Sequence, residues 1–357
     1  MANVVSILQN YWPVRLFAGG APSVRRHPNR VASIPTLQPV GLQDFLALKI
    51  PPRMMLLDPI LPERSLSMLY APRGIGKSWL GLSIGLAVAS GSSLLRWTVP
   101  RPRSVLYVDG EMQLAELQLR LSAIQAAMGA EIPNDGFRIL AADNTEAGIN
   151  LSSDEGQRAL ERHLEGIYLL VLDNLSTLLA SGSEGASDAW LPIQNWLLKL
   201  RRKGIAVLLI HHAGLNGRQR GTSRREDALD TVIALRRPVD YSPKEGARFE
   251  VHLEKARALV EAGALPFEAV VEPLVSDSGK PGIQWLARDL KPPIFQLAAE
   301  LFASGRTVRQ VKEILGISHG EAGRLRLRAA AEGLLEPSGE DGEEEAEVAV
   351  GGRFGPN

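Results

Sequence analysis

The stretch SLSMLYAPRGIGKS, residues 65–78, constrains the fold more tightly than any other part of the chain. Ser65–Tyr70 is an apolar run of strand length, and Pro72, Gly74 and Gly76 interrupt it. From 77 to 90 the chain is apolar on most faces, the pattern of a buried helix. Strand, glycine-containing loop and helix, in that order, are the setting a phosphate-binding loop requires. Gly74 and Gly76 allow the backbone conformations with which the N–H groups of 74–78 can wrap a phosphate. The Lys77 ammonium can neutralise β- and γ-phosphate charge, and the Ser78 hydroxyl can ligate magnesium. The helix starting near Lys77 aims its positive dipole end at the same anion. Pro72, Arg73, Gly74, Ile75 and Gly76, with Lys77, Ser78 and Trp79, are thus the expected nucleotide-binding residues, for ATP with Mg2+. The consensus opens on Gly; Ala71, also small, stands there.

The remaining pattern extends this unit into a sheet. SVLYV (104–108), YLLVL (168–172) and AVLLI (206–210) read as strands; 113–129 and 189–202 read as helices. Strands that are apolar throughout, rather than alternating, are buried on both faces, which implies a mainly parallel sheet with helices on either side. Segments 230–236 and 248–255 alternate better and are expected near the sheet edge, and 266–289 reads as a strand pair around Ser278–Gly282. The expected organisation is an unstructured leader (1–40), an α/β ATPase domain (41–290), a small helical module (294–336) and an acidic disordered tail (337–357). The leader has no acid before Asp44 and carries Arg15, Arg25, Arg26 and Arg30, a composition also found in transit peptides.

Two acids divide the expected labour. Asp173 ends the third strand, where a parallel sheet presents its carboxyl edge to the phosphates, and can hold magnesium there through water. Its neighbour is Asn174, so the base must come from elsewhere. Glu111, just past the second strand, is the preferred candidate to position the attacking water; Asp109 competes and can instead cap the following helix. His211 and His212 end the fourth strand, where a polar side chain can sense the γ-phosphate.

Net charge is zero, so a nucleic-acid partner must be read from local patches. Arg218, Arg220, Arg224 and Arg225 form one basic segment, suited to backbone contact with single-stranded or forked DNA, or else simply solvated. No aromatic residue interleaves them, which argues against base stacking. Thr307–Leu315 and His319–Leu335, joined by a turn containing Gly316, fit a helix-turn-helix or winged-helix-like module, with Arg324, Arg326 and Arg328 on the second helix. Such modules also serve as protein contacts. The absence of cysteine excludes disulfides and thiol catalysis. No stretch approaches the roughly 20 apolar residues of a membrane helix, and a cytoplasmic location is expected.

Taken in order, APRGIGKS, YVDGEM, LLVLDNLS, LLIHHAG, RGTS and LEKARAL resemble the RecA-like P-loop ATPases related to plasmid RepA-type replicative helicases, with the DnaB-type hexameric helicases as wider relatives. The resemblance spans residues 41–260. It implies a RecA-like core, Lys77 and Ser78 at the phosphates, Glu111 as catalytic glutamate, Asp173 at the metal, and His211 or His212 as sensor. It further implies that Lys255 and Arg257 reach the ATP of a neighbouring subunit, hence a hexameric ring working on DNA. A family arginine expected between RGTS and this pair has no clear match; Asp230 falls near its place.

Overall fold

A computed structural model describes residues 39–129, 131–146, 148–179, 187–214, 227–256, 265–275, 279, 281–290 and 294–335. The leader before 39, the acidic tail from 337, and Arg218, Arg220, Arg224, Arg225 and Arg257 lie outside the described residues.

The chain divides into two compact units. The larger is built on a nine-stranded sheet. A short helix, α1 (Leu42–Ala47), and a two-stranded hairpin, β1 (Met55–Leu57) and β2 (Leu61–Pro62), precede it. β3 (Leu66–Ala71) then leads through the glycine loop into α2 (Lys77–Ser90). Next come β4 (Val105–Asp109), α3 (Leu114–Met128), β5 (Phe137–Ala141), α4 (Asp154–Glu161), β6 (Leu169–Asp173), the four-residue α5 (Leu175–Leu178), α6 (Ser187–Arg202) and β7 (Ala206–His212). β8 (Thr231–Arg236), β9 (Arg248–Ala256), β10 (Phe267–Val275) and β11 (Pro281–Asp289) complete the sheet.

The strand order is β11-β10-β9-β8-β3-β7-β6-β4-β5. The six strands from β8 to β5 pair in parallel, and β9 joins β8 antiparallel. β3, β4 and β6 are buried along their whole length, which is why their sequences run apolar without alternation. This is the expected RecA-like α/β P-loop core.

Segments 230–236 and 248–255, expected near the sheet edge, form β8 and β9: β8 lies further inside, between β3 and β9, and two further strands lie beyond β9. β9 is only half covered, whereas β8 is buried over five of its six residues.

α2 packs hard against the sheet because two of its residues have no side chain. A Cβ at Gly81 would fall 2.3 Å from Ile210 Cδ1, and one at Gly85 2.9 Å from the Phe137 ring. The phosphate loop is thereby fixed to β5 and β7 from beneath.

The smaller unit holds α7 (Ile294–Ala303), α8 (Val308–Leu315) and α9 (His319–Ala331) around Ala298, Phe302 and Val311. Thr307 caps α8 by accepting from Gln310 N, and Ser318 caps α9 by accepting from Glu321 N. Gly316, in the left-handed region at φ 65°, ends α8 and leaves a three-residue turn, 316–318.

Candidate nucleotide site

Four parallel strands, β3, β4, β6 and β7, end side by side, and their registers set the site. Asp109 pairs with Asp173 across β4 and β6, Asp173 with Ile210 across β6 and β7, and Ala71 with His212 across β3 and β7. A cleft of about 620 Å³ opens there. Residues 73–79 line one side and Glu111, Asp173, Asn174 and His212 another.

The loop conformation depends on glycine at two points. Gly74 has φ 72° and Gly76 φ 123°, a region L residues rarely adopt. A Cβ at Gly76 would also approach the Phe249 ring to 3.0 Å. Lys77 is buried and its ammonium donates to the carbonyls of Ala71, at 3.1 Å, and Pro72, at 2.9 Å. Burial pulls its pKa from 10.5 down to about 8, partly offset by the carboxylates of Asp173 and Glu111. Trp79 lines the cleft, with the Arg120 guanidinium 5.1 Å from its ring centroid.

Asp173 is buried at the cleft floor. Burial raises its pKa, opposed by hydrogen bonds from Tyr107 and Ser78. Ser78 and Asp173 thus meet as a hydroxyl–carboxylate pair, a donor set that suits magnesium. Among the described residues no group of three or more His, Cys, Asp or Glu could hold a metal alone. A metal here would therefore take further ligands from phosphate and water, as magnesium in nucleotide sites does.

Asp109 and Glu111 are separated by geometry. Asp109 is buried, and its Oδ1 accepts from the backbone N–H of Glu111 (3.0 Å) and Met112 (2.7 Å). Burial lifts its pKa to about 6, against those two bonds. Asp109 shapes the turn that carries Glu111 and does not line the cleft. Nor does it cap α3, whose first amide, Leu114 N–H, donates instead to Asp143 at 3.0 Å. The Glu111 carboxylate faces the cleft and accepts from Asn174 Nδ2.

The two histidines part company because consecutive strand residues point to opposite faces. His212 lines the cleft, with its Nε2 3.3 Å from Asn174 Nδ2 and 3.8 Å from Glu111 Oε2. His211 is fully buried and does not line it. Lys255 sits on β9, opposite Val232, and does not line this chain's own cleft. Asp230 is structural: it accepts from Leu66 N at 3.0 Å and pairs with Arg53 at 3.2 Å, at the start of β3.

Several cleft residues carry no sequence motif. Asn174 bridges Glu111 and His212, and its position directly after Asp173 was the available signal. Tyr241, Gly246 and Ala247, from the segment between β8 and β9, also line the cleft. Arg237 lies 4.1 Å from the Tyr241 ring centroid and donates to Gly74 O at 3.1 Å. Arg248, buried, anchors the same segment through Asp240 at 2.8 Å and Glu245 at 3.1 Å. Only the three-dimensional fold brings this segment to the phosphate loop.

In the smaller unit, Arg324 and Arg328 are exposed and one helical turn apart on α9; Arg326 falls on another face. Spacings of two residues diverge around a helix, so the three arginines of α9 are spread over more than one face. Arg328 also pairs with Glu332 at 2.8 Å and stacks on Phe295 at 4.0 Å. Among the described residues no helix is long and apolar enough to cross a membrane.

Among solved structures, a KaiC-like protein from the hyperthermophilic archaeon Pyrococcus horikoshii OT3 aligns with 65% of this chain and 98% of its own, at 13% identity and a TM-score of 0.42. Residues 32–218, just over half of the chain, match the AAA domain family. With its phosphate loop, flanking strand and buried lysine in place, the chain belongs to that AAA domain family of P-loop ATPases.

Proposed function

We propose that the protein is an ATP-hydrolysing, DNA-associated motor of the ring-forming replicative helicase type, using Mg2+. The observation that carries the hydrolytic part is the meeting of Lys77, Ser78, Glu111, Asp173 and His212 around one cleft. Lys77 and the loop amides hold the β- and γ-phosphates, and Tyr241 with Arg237 offers a flat wall for the base. Magnesium, when bound, neutralises charge on the phosphate oxygens, with Ser78 and Asp173 as its protein partners. Glu111 orients the attacking water and accepts its proton as the new bond to the γ-phosphorus forms and the bond to the β–γ bridging oxygen breaks, with ADP as leaving group. His212, in contact with Asn174, is placed to register whether the γ-phosphate is present.

Helix α1 buries no residue and exposes Leu42, Phe45 and Leu46, a surface that suits contact between subunits. Such a contact would let Lys255 and Arg257 act on a neighbour's nucleotide. Arg218, Arg220, Arg224 and Arg225 follow β7 in sequence and are the proposed DNA-backbone contacts, together with Arg324 and Arg328. The helix-turn-helix geometry of α8 and α9 favours a second reading, an ATP-switched DNA-binding regulator with poor turnover.

ATP turnover with and without single-stranded DNA, followed by strand displacement on a forked duplex, separates these readings. The motor is expected to be stimulated by DNA and to displace the strand. Stimulation without displacement would leave a DNA-remodelling ATPase, and negligible turnover with tight duplex binding the regulator.

A further inference from the structure

Tyr107 is the single hydroxyl-bearing residue in the VLYVD run of β4, and it lies directly beneath the site. It is fully buried, stacked against Phe137 with ring centroids 6.2 Å apart. Its hydroxyl donates to Asp173 Oδ2 at 2.6 Å.

We infer that Tyr107 is a positioning residue for the metal site, pinning one oxygen of Asp173 so that the carboxylate offers only its other oxygen toward Ser78 and the nucleotide's cation. With Oδ2 already accepting from the phenol, turning both oxygens of this buried carboxylate to a cation would weaken that hydrogen bond, which favours coordination through the other oxygen. The carboxylate is thereby held as a one-oxygen acceptor, the geometry that suits a small octahedral ion retaining its waters better than a larger ion with loose coordination. The inference rests on the ATPase reading of the cleft and deepens it.

The test is Tyr107→Phe, which removes one oxygen and keeps the ring. Binding of Mn2+ to the full chain in the presence of saturating ADP is read by the loss of the free-ion electron paramagnetic resonance signal. The variant should bind Mn2+ about tenfold more weakly, the factor for one hydrogen bond to a charged group. Affinity for metal-free ADP should not change, and the advantage of Mg2+ over Ca2+ in competition should shrink. Phe137→Leu loosens the same packing while retaining the hydroxyl, and should leave Mn2+ affinity as in the wild type. Equal Mn2+ affinity in Tyr107→Phe, or equal losses in both variants, would overturn the inference and leave Tyr107 a packing residue. Should Tyr107→Phe not fold, 3-fluorotyrosine at 107, a stronger donor of the same shape, must tighten Mn2+ binding; no change would overturn the inference equally. If the wild type itself takes up no Mn2+ with ADP, the failure belongs to the ATPase reading instead.

Discussion

Lys77 is buried, with its ammonium turned back onto the Ala71 and Pro72 carbonyls rather than out to solvent. The charged form is the one that holds phosphate, and burial has brought its pKa down to about 8. Below that value the ammonium is present; as pH rises through it, the charge is lost before nucleotide arrives. Affinity for ADP without metal should therefore fall as pH is raised from 7 to 9, and calorimetry should show proton uptake on binding at the alkaline end. A flat affinity across that range would contradict the burial argument. Glu111 and Asp109 give a second contrast at this scale. Glu111→Gln should retain ATP and slow turnover by roughly 10² or more, the scale of general-base assistance. Asp109→Asn keeps an oxygen for the amides of Glu111 and Met112 and should cost far less. The reverse order in single-turnover rates would exchange the two roles.

At the scale of elements, the sheet of β3, β4, β6 and β7 was readable because buried parallel strands leave uninterrupted apolar runs, with β6 ending on Asp173 and β7 on His212. β5 and α4 were not: β5 is mostly half-buried at the sheet edge, and α4 shows one narrow apolar stripe through Leu160. Asp173 and Glu111 stood out as carboxylates at strand ends, whereas Tyr241 gave no signal, because its place in the cleft depends on how β8 and β9 return to the loop. Arg248 is the buried cation that holds that return. Arg248→Ala should loosen the Tyr241 wall and weaken ATP binding several-fold, with inorganic triphosphate, which has no base, much less affected. Competition binding against a fluorescent nucleotide would show whether the two ligands part in this way. In the smaller unit Phe302 packs between α7 and its neighbours. Phe302→Ala should cost that unit about 3–5 kcal/mol. Hydrogen exchange should then rise in 294–335 while 66–109 keeps its protection; a loss spread over both segments would show that the two do not unfold separately.

The whole molecule has zero net charge, so long-range steering gives it no preference for DNA. If Lys255 and Arg257 complete a neighbour's site, Arg257→Ala and Glu111→Gln should each be nearly inactive and should recover partial turnover when mixed. Some interfaces would then pair an intact glutamate with an intact basic finger, which can be worth on the order of 10³ in rate. A mixture that stays inactive while native mass spectrometry shows mixed assemblies would remove the finger from this pair. Beneath all of these stands the claim that the cleft at Lys77 binds and hydrolyses ATP. Its most direct measurement is ATP hydrolysis by the purified full chain beside Lys77→Ala, with circular dichroism showing both folded. The wild type should turn ATP over and the variant should fall to background. Turnover at the wild-type rate in Lys77→Ala, or neither binding nor turnover in the folded wild type with Mg2+ and DNA, would contradict it.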